Sequence, residues 1–306
     1  DRSTTEYTSF DILGRVTASR QTTDNVTYGS GTTDSLMTYT YNLSGALIEQ
    51  QYPSGRKVKT VLDNEGDLAQ VQSQKNAADV FRNYASSFVY NSAGAVSSMK
   101  LGNGKFENTV YNSRLQPIQI GLGSSASTQD KLKLNYDYGT TQNNGNVLSQ
   151  IITVPTVGSN PGFTATQAYS YDSLNRIAQA TETIPNQTGW NQTFTYDRYG
   201  KRNFVEAPTT TLLKQCNNNT EVCVADRPKV NPSVDVTKNR LIGYAFDNAG
   251  NTTTDADAQT FTYDAENKQV QANNAQGIVG QYFYDGDGKR VKKIVPGTGE
   301  TTIFVY

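Results

Sequence analysis

Phe261-Thr262-Tyr263-Asp264-Ala265-Glu266-Asn267-Lys268 is answered 21 residues further on by Tyr282-Phe283-Tyr284-Asp285-Gly286-Asp287-Gly288-Lys289. Each stretch runs into an aromatic residue, then Asp, then a tight turn closed by Asn267 or Gly288. Two further clear copies are Tyr171-Asp172-Ser173-Leu174-Asn175-Arg176 and Tyr196-Asp197-Arg198-Tyr199-Gly200-Lys201. Others start at Phe10-Asp11, Tyr41-Asn42, Tyr90-Asn91 and Phe246-Asp247, and degenerate ones at Leu62, Tyr111 and Tyr136. Eleven candidates in 306 residues make this a repeat chain before any single residue decides its chemistry.

The spacing identifies the unit. Tyr41 to Leu62, Tyr90 to Tyr111 and Tyr263 to Tyr284 are each 21 residues. Within the unit a second turn signal recurs, at Tyr52-Pro53-Ser54-Gly55 and Leu101-Gly102-Asn103-Gly104, each Gly standing seven residues before the next motif. Two turns separated by strand-length segments predict one β-hairpin per repeat.

The residue types follow from turn chemistry. Asp or Asn at the first turn position accepts hydrogen bonds from the backbone amides that follow. Gly, and next best Asn, tolerates the positive φ needed at the fourth position. Nine of the eleven copies obey; Leu115 departs, and the copy at Tyr136 reads as a turn lengthened over Thr140–Asn146. The motif aromatics end their strands, so stacked hairpins are expected to bring them into a ladder of ring contacts, each contributing about 0.5–1.5 kcal/mol.

Gln192-Thr193-Phe194-Thr195-Tyr196, Gln259-Thr260-Phe261-Thr262-Tyr263 and Thr302-Ile303-Phe304-Val305-Tyr306 alternate with period two, one face buried and one wet. No long segment has helical periodicity. Mean hydropathy is −0.61, hydrophobic residues make up 35%, and 18% are charged with a net charge of −1. That is a thin β-surface and not the highly charged disordered class. The fold class predicted is all-β, an antiparallel hairpin array running as a single unit over residues 1–306, with an inserted loop region over 206–240.

Tyr-Asp-x-x-Gly-Arg-type repeats of this length resemble the YD repeats of bacterial Rhs proteins, insecticidal toxin complexes and teneurins. The resemblance is closest from Asn239 to Tyr306, through Asn239-Arg240-Leu241-Ile242-Gly243-Tyr244-Ala245-Phe246-Asp247-Asn248-Ala249-Gly250-Asn251 and the two stretches quoted first, and weakest between Leu212 and Lys238. It implies a spiral sheet of hairpins forming a hollow shell, which in bacterial members encloses a toxic C-terminal domain. The family's core segment, autoprotease region and variable toxin domain are not expected within residues 1–306, and another repeat reads as starting at Tyr306. With Asp1 first and no signal peptide, the chain is expected to be an internal piece or a processed product. Eleven hairpins at about 4.8 Å per strand give a ladder on the order of 100 Å, a partial shell or open solenoid with exposed edges.

Other chemistries are poorly served. The chain has no His, which removes imidazole bases, His triads and His-ligated zinc. Phosphate loops are absent. Asp255 with Asp257 and Asp285 with Asp287 form carboxylate pairs, and Asp247, Asp255, Asp257 and Asp264 form a candidate cation cluster; turn roles account for all of them. Asp285-Gly286-Asp287-Gly288 lacks the later acidic ligand of an EF-hand. Lys289-Arg290-Val291-Lys292-Lys293 is too short for a nucleic-acid patch at net charge −1, and no apolar run approaches the ~20 residues that span a bilayer. The sequons at Asn25 and Asn191 match chance in so Asn- and Thr-rich a chain. No catalytic residue, cofactor or metal site is expected.

Cys216 and Cys223, the only cysteines, bracket a polar turn in the long gap between the motifs at Tyr196 and Phe246. A local disulfide is the expectation, two unpaired small hydrophobes the alternative. Pro208, Pro228 and Pro232 in the same gap argue for an irregular connection, either a functional loop or a plain surface one.

The functional expectation is a non-catalytic segment of a secreted or surface-delivered bacterial Rhs-type shell enclosing a polypeptide cargo. The alternative is an extracellular module for adhesion, glycan binding or self-assembly. The partners that follow are the remainder of the parent chain or an enclosed C-terminal polypeptide, with self-association through open edges, and neither nucleic acid nor a membrane.

Overall fold

The structure is a computed structural model, and it describes residues 3–31, 35–187, 189–205, 231 and 233–306. Cys216 and Cys223 lie outside the described residues, as does nearly all of the gap between Val205 and Asn231. The described residues form 26 strands and no helix. The all-β expectation holds: the chain is an open antiparallel array of hairpins.

Two compact units are present. One comprises Asp1–Val61, Gln72–Arg82 and Ser233–Tyr306. In it Ser3–Phe10 pairs with Val16–Thr23, and Val16–Thr23 turns into Val26–Tyr28 through Asp24 and Asn25, both at positive φ (50° and 65°). Positive φ at both central residues is the mirror-image two-residue turn that matches strand twist. Val16–Thr23 also pairs with Met37–Tyr41, which continues into Leu47–Gln51 and on towards Lys57–Leu62. The same unit holds a seven-stranded sheet from Ala245–Phe246 to Glu300–Ile303. Each of its strands pairs antiparallel with the next in sequence.

The other unit comprises Leu62–Val71 and Asn83–Pro232. Its strands run from Arg82–Tyr90 to Arg202–Phe204, every neighbour in sequence being the neighbour in the ladder. The lengthened turn expected after Tyr136 is present. Asp137 pairs with Ser149, so the connection occupies the residues between them. The Val154 to Gly162 stretch is a hairpin tip, closed by the Val154–Phe163 pair.

The core is thin, as half-polar strands dictate. In the first unit the buried apolar side chains are Met37 (2% exposed), Ala272 and Val291, beside buried Ser19, Gln21, Thr23, Gln51 and Ser73. The second buries Ala165, Ala180 and Asn108. Burying a polar group without a partner costs several kcal/mol in the worst case, on the order of 1–3 in proteins, and here partners exist. The Ser19 hydroxyl meets that of Tyr39 at 2.9 Å, and Ser98 donates to Asn108 at 2.9 Å. Among the described residues no buried side-chain polar atom lacks a partner.

Candidate functional site

The motif builds its turn as its chemistry requires. At Asp172 the backbone amide donates to the Arg176 carbonyl at 2.8 Å, and the Asn175 amide returns to the Asp172 carbonyl at 3.0 Å. One carboxylate oxygen, Oδ1, accepts from the amides of Leu174 and Arg176, both at 2.9 Å. The same pair of side-chain bonds, to the second and fourth residues after the Asx, forms at Asp11, Asn91, Asp197, Asp264 and Asp285. At Asn42 and Asp247 the bond to the fourth residue is made. The backbone amides hold the Asp172 carboxyl below the ordinary carboxylate range, with the Arg176 guanidinium adding to the effect. For Asp247 the Asn251 side chain is the main cause of the same lowering. The fourth turn residue takes positive φ throughout, from Gly14 (76°) to Gly288 (80°).

Two turns have the wrong residue there. Leu115 sits at φ 61° and Ala258 at φ 59°, a left-handed conformation costing a Cβ-bearing residue roughly 1–2 kcal/mol. The second belongs to a motif that sequence reasoning missed. Asp255 accepts from the Asp257 and Gln259 amides at 3.0 and 2.9 Å, yet Thr254 stands where the aromatic belongs. The Asp255–Asp257 pair is therefore a turn.

A β-bulge accompanies the motif. The ladder register slips between the motif aromatic and the residue before it at Phe10, Tyr41, Tyr90, Tyr111, Tyr171, Phe246, Tyr263 and Tyr284. The extra residue lies on the outgoing strand, sixth after the Asx. Such a bulge leaves its residue out of the ladder and increases local twist.

The carbonyl just before that bulge is where neighbouring repeats join. The Tyr196 hydroxyl crosses back to the preceding hairpin and donates to the Ile177 carbonyl at 2.8 Å, five residues after Asp172. Tyr90 does the same to Leu68 (2.8 Å), Tyr111 to Val96 (3.0 Å), Tyr284 to Gln269 (2.9 Å) and Tyr306 to Arg290 (3.0 Å). Tyr171 reaches Val147 (2.7 Å), beyond the lengthened turn. At that turn Tyr138, not Tyr136, makes the bond, to Pro117 at 3.2 Å.

A cation completes the joint. The Arg176 guanidinium lies 4.3 Å from the centroid of the Tyr196 ring while it bridges to Asp172 of its own turn at 2.7 Å. Arg15 repeats this arrangement over Tyr41 at 4.7 Å, held by Asp11 at 2.6 Å. Lys268 covers Tyr284 at 5.9 Å and Lys289 covers Tyr306 at 5.5 Å. Ring–cation attraction of this kind is worth about 0.5–1 kcal/mol at exposed sites.

This corrects the expected ring ladder. Three ring pairs occur among the described residues, Phe88–Tyr90, Phe194–Phe204 and Tyr244–Phe246, and none joins two motif aromatics. At Tyr196, Tyr284 and Tyr306 a basic side chain covers the ring and the hydroxyl ties it to the preceding hairpin. Among the described residues Tyr41 and Tyr263 carry no such hydroxyl bond. Phe10 and Phe246 cannot make one, although Arg240 still covers the Phe246 ring at 5.0 Å.

The acidic groups are similarly engaged. Around one cleft, Asp24 pairs with Lys292 and Glu266 with Lys268, while Asp264 and Asp285 hold turn amides. Among the described residues no three His, Cys, Asp or Glu side chains gather as around a metal ion, and no helix is long and apolar enough to cross a membrane.

Comparison with known proteins agrees with this architecture. The Tc holotoxin pore of Photorhabdus luminescens, in a form carrying a TccC3 mutation, superposes with a TM-score of 0.71 at 19% identity, over 96% of this chain and 15% of that one. A TcdB2-TccC3-Cdc42 structure also gives 0.71 at 19% identity, over 96% of this chain and 16% of that one. A TcdB2-TccC3 structure without its hypervariable C-terminal region gives 0.69 at 19% identity, over the same shares. The chain thus spans about one sixth of the length of these proteins, and the likeness is one of fold. No curated protein sequence matches it. The family model described as the teneurin YD-shell matches residues 75–306, and the chain belongs to that family.

Proposed function

We propose that the chain is a non-catalytic wall segment of a secreted or surface-delivered bacterial protein, whose YD shell encloses a polypeptide cargo. The observation carrying this reading is the joint. Tyr, Asx and Arg or Lys of the motif are engaged in holding one hairpin to the next, so the repeated chemistry serves continuity of a surface and not turnover. The wall's partners are then the remainder of its parent chain and the enclosed polypeptide. One structural neighbour, TcdB2-TccC3, has a hypervariable C-terminal region, which suits a shell whose content changes while its wall does not.

The test is protease protection in the intact parent protein. A discrete polypeptide should survive digestion alongside the wall and be degraded once it is purified away. Equal digestion rates in the two settings would overturn the enclosure reading. Self-association has one observation in its favour: Ser3–Phe10 pairs with Val16–Thr23 on one side and exposes all but its first residue. Oligomers that grow with concentration and vanish on Tyr7→Lys would support that second reading.

A further inference from the structure

The first unit contains a contact that the repeat logic does not require. Gln21, on the second strand, is 2% exposed. Its side-chain amide nitrogen donates to the Phe304 carbonyl at 2.8 Å, and its amide oxygen accepts from the Tyr306 backbone amide at 3.1 Å. A carboxamide carries the same donor and acceptor as a peptide group. Gln21 thus offers residues 304–306 the two bonds that a neighbouring strand would supply, across 283 positions of sequence. The same Nε2 also reaches the Thr23 hydroxyl at 3.0 Å, which fixes the amide's orientation. Close by, Lys292 pairs with Asp24, 268 positions away.

Tyr306 is held three ways. Its amide is bound by Gln21, its hydroxyl by the Arg290 carbonyl at 3.0 Å, and its ring by Lys289. It completes the joint along the array and the contact across it at once. We propose that Gln21 is a latch: a buried side chain that stands in for a β-strand and locks the segment Phe304–Tyr306 of the last hairpins onto the first. The latch sets where these two remote parts of the unit meet. It does not depend on whether the wall encloses a cargo.

Hydrogen exchange on the full chain tests this, through Gln21→Leu and Gln21→Glu with Asp24→Asn for comparison. In Gln21→Leu the Tyr306 amide should exchange about tenfold faster, as expected for loss of two half-buried hydrogen bonds, while the Ser3–Thr23 hairpin keeps its protection. Asp24→Asn should leave Tyr306 protected. Gln21→Glu should keep an acceptor for the Tyr306 amide but set a carboxylate against the Phe304 carbonyl at neutral pH, so that protection is weakened there. It should regain protection, after correction for intrinsic rates, as the pH falls towards 4 and a protonated carboxyl donates again. Unchanged exchange at Tyr306 in Gln21→Leu, uniform loss of protection throughout the chain, or a Gln21→Glu response without pH dependence would each overturn the latch.

Discussion

Tyr196→Phe isolates the joint to a single atom. The ring stays beneath the Arg176 guanidinium at 4.3 Å, the Asp172 turn is untouched, and only the hydroxyl donated to the Ile177 carbonyl at 2.8 Å is lost. A neutral hydrogen bond contributes about 1 kcal/mol net, and more when its orphaned partner is sealed from water. Because this bond lies near solvent, the cost should stay near ~1 kcal/mol, about a fivefold rise in the local opening constant. Repeat arrays open hairpin by hairpin, so global unfolding would blur the effect. Native-state hydrogen exchange resolves it. Amides of Ile177–Thr183 and Trp190–Tyr196 should exchange about fivefold faster, with remote hairpins unchanged. Tyr199→Phe is the control, since Tyr199 is exposed at the turn tip and its hydroxyl meets the neighbouring Arg198 of the same turn. If the two variants behave alike, or the Tyr196→Phe effect spreads evenly over the chain, the hydroxyl is not what joins the repeats.

Leu115→Gly and Ala258→Gly should each stabilise the chain by roughly 0.5–1 kcal/mol, since relief of the left-handed strain outweighs the added freedom of the unfolded Gly; thermal melting checks this, and a lowered midpoint refutes it. Tyr138→Phe should loosen the turn around Pro117 by about 1 kcal/mol, whereas Tyr136→Phe leaves that turn's exchange rates unaltered. Asp172 and Asp247 have folded-state pKa values below the ordinary carboxylate value, so the unfolded chain binds the proton more tightly. Their stabilisation is therefore complete above about pH 4 and is lost as pH falls through the lowered values. Asp79, lowered to about 2 by Arg82, follows the same sign. Asp172→Asn keeps the turn acceptor without the titration, and acid exchange profiles of that hairpin should flatten; an unaltered profile counts against the carboxylate.

The turns were legible because their determinants are local. Asx at the first position and Gly or Asn at the fourth are side-chain choices, and both turns of the 21-residue unit appear where Gly55 and Gly104 mark them, at φ 79° and 81°. Asp255 reads as a turn residue but not as a copy of the motif, because neither of the motif's other flags is present: Thr254 replaces the aromatic and Ala258 the Gly. The joint was harder to read, because the acceptor of each tyrosine hydroxyl is a main-chain carbonyl, and a carbonyl has no letter of its own. Two signals pointed to it all the same. Arg or Lys recurs four residues after Asp11, Asp172, Asp197, Asp264 and Asp285, more often than turn chemistry demands. Tyr also prevails over Phe at the motif, although a purely stacking ladder would accept either. Gln21 gives no sequence signal, because its partners lie at the far end of the chain.

Each joint refers only to the hairpin immediately before it, through a backbone atom every residue type possesses. A wall coupled in this way carries no record of its own length. Duplication or loss of one whole 21-residue unit leaves every surviving hydroxyl with a carbonyl to meet, so such genes can grow and shrink by unequal recombination without new compensating substitutions. A cut that does not respect the unit leaves a tyrosine facing the wrong place. Gln21 differs in reach: its main-chain partners lie 283 positions away and not in the neighbouring hairpin.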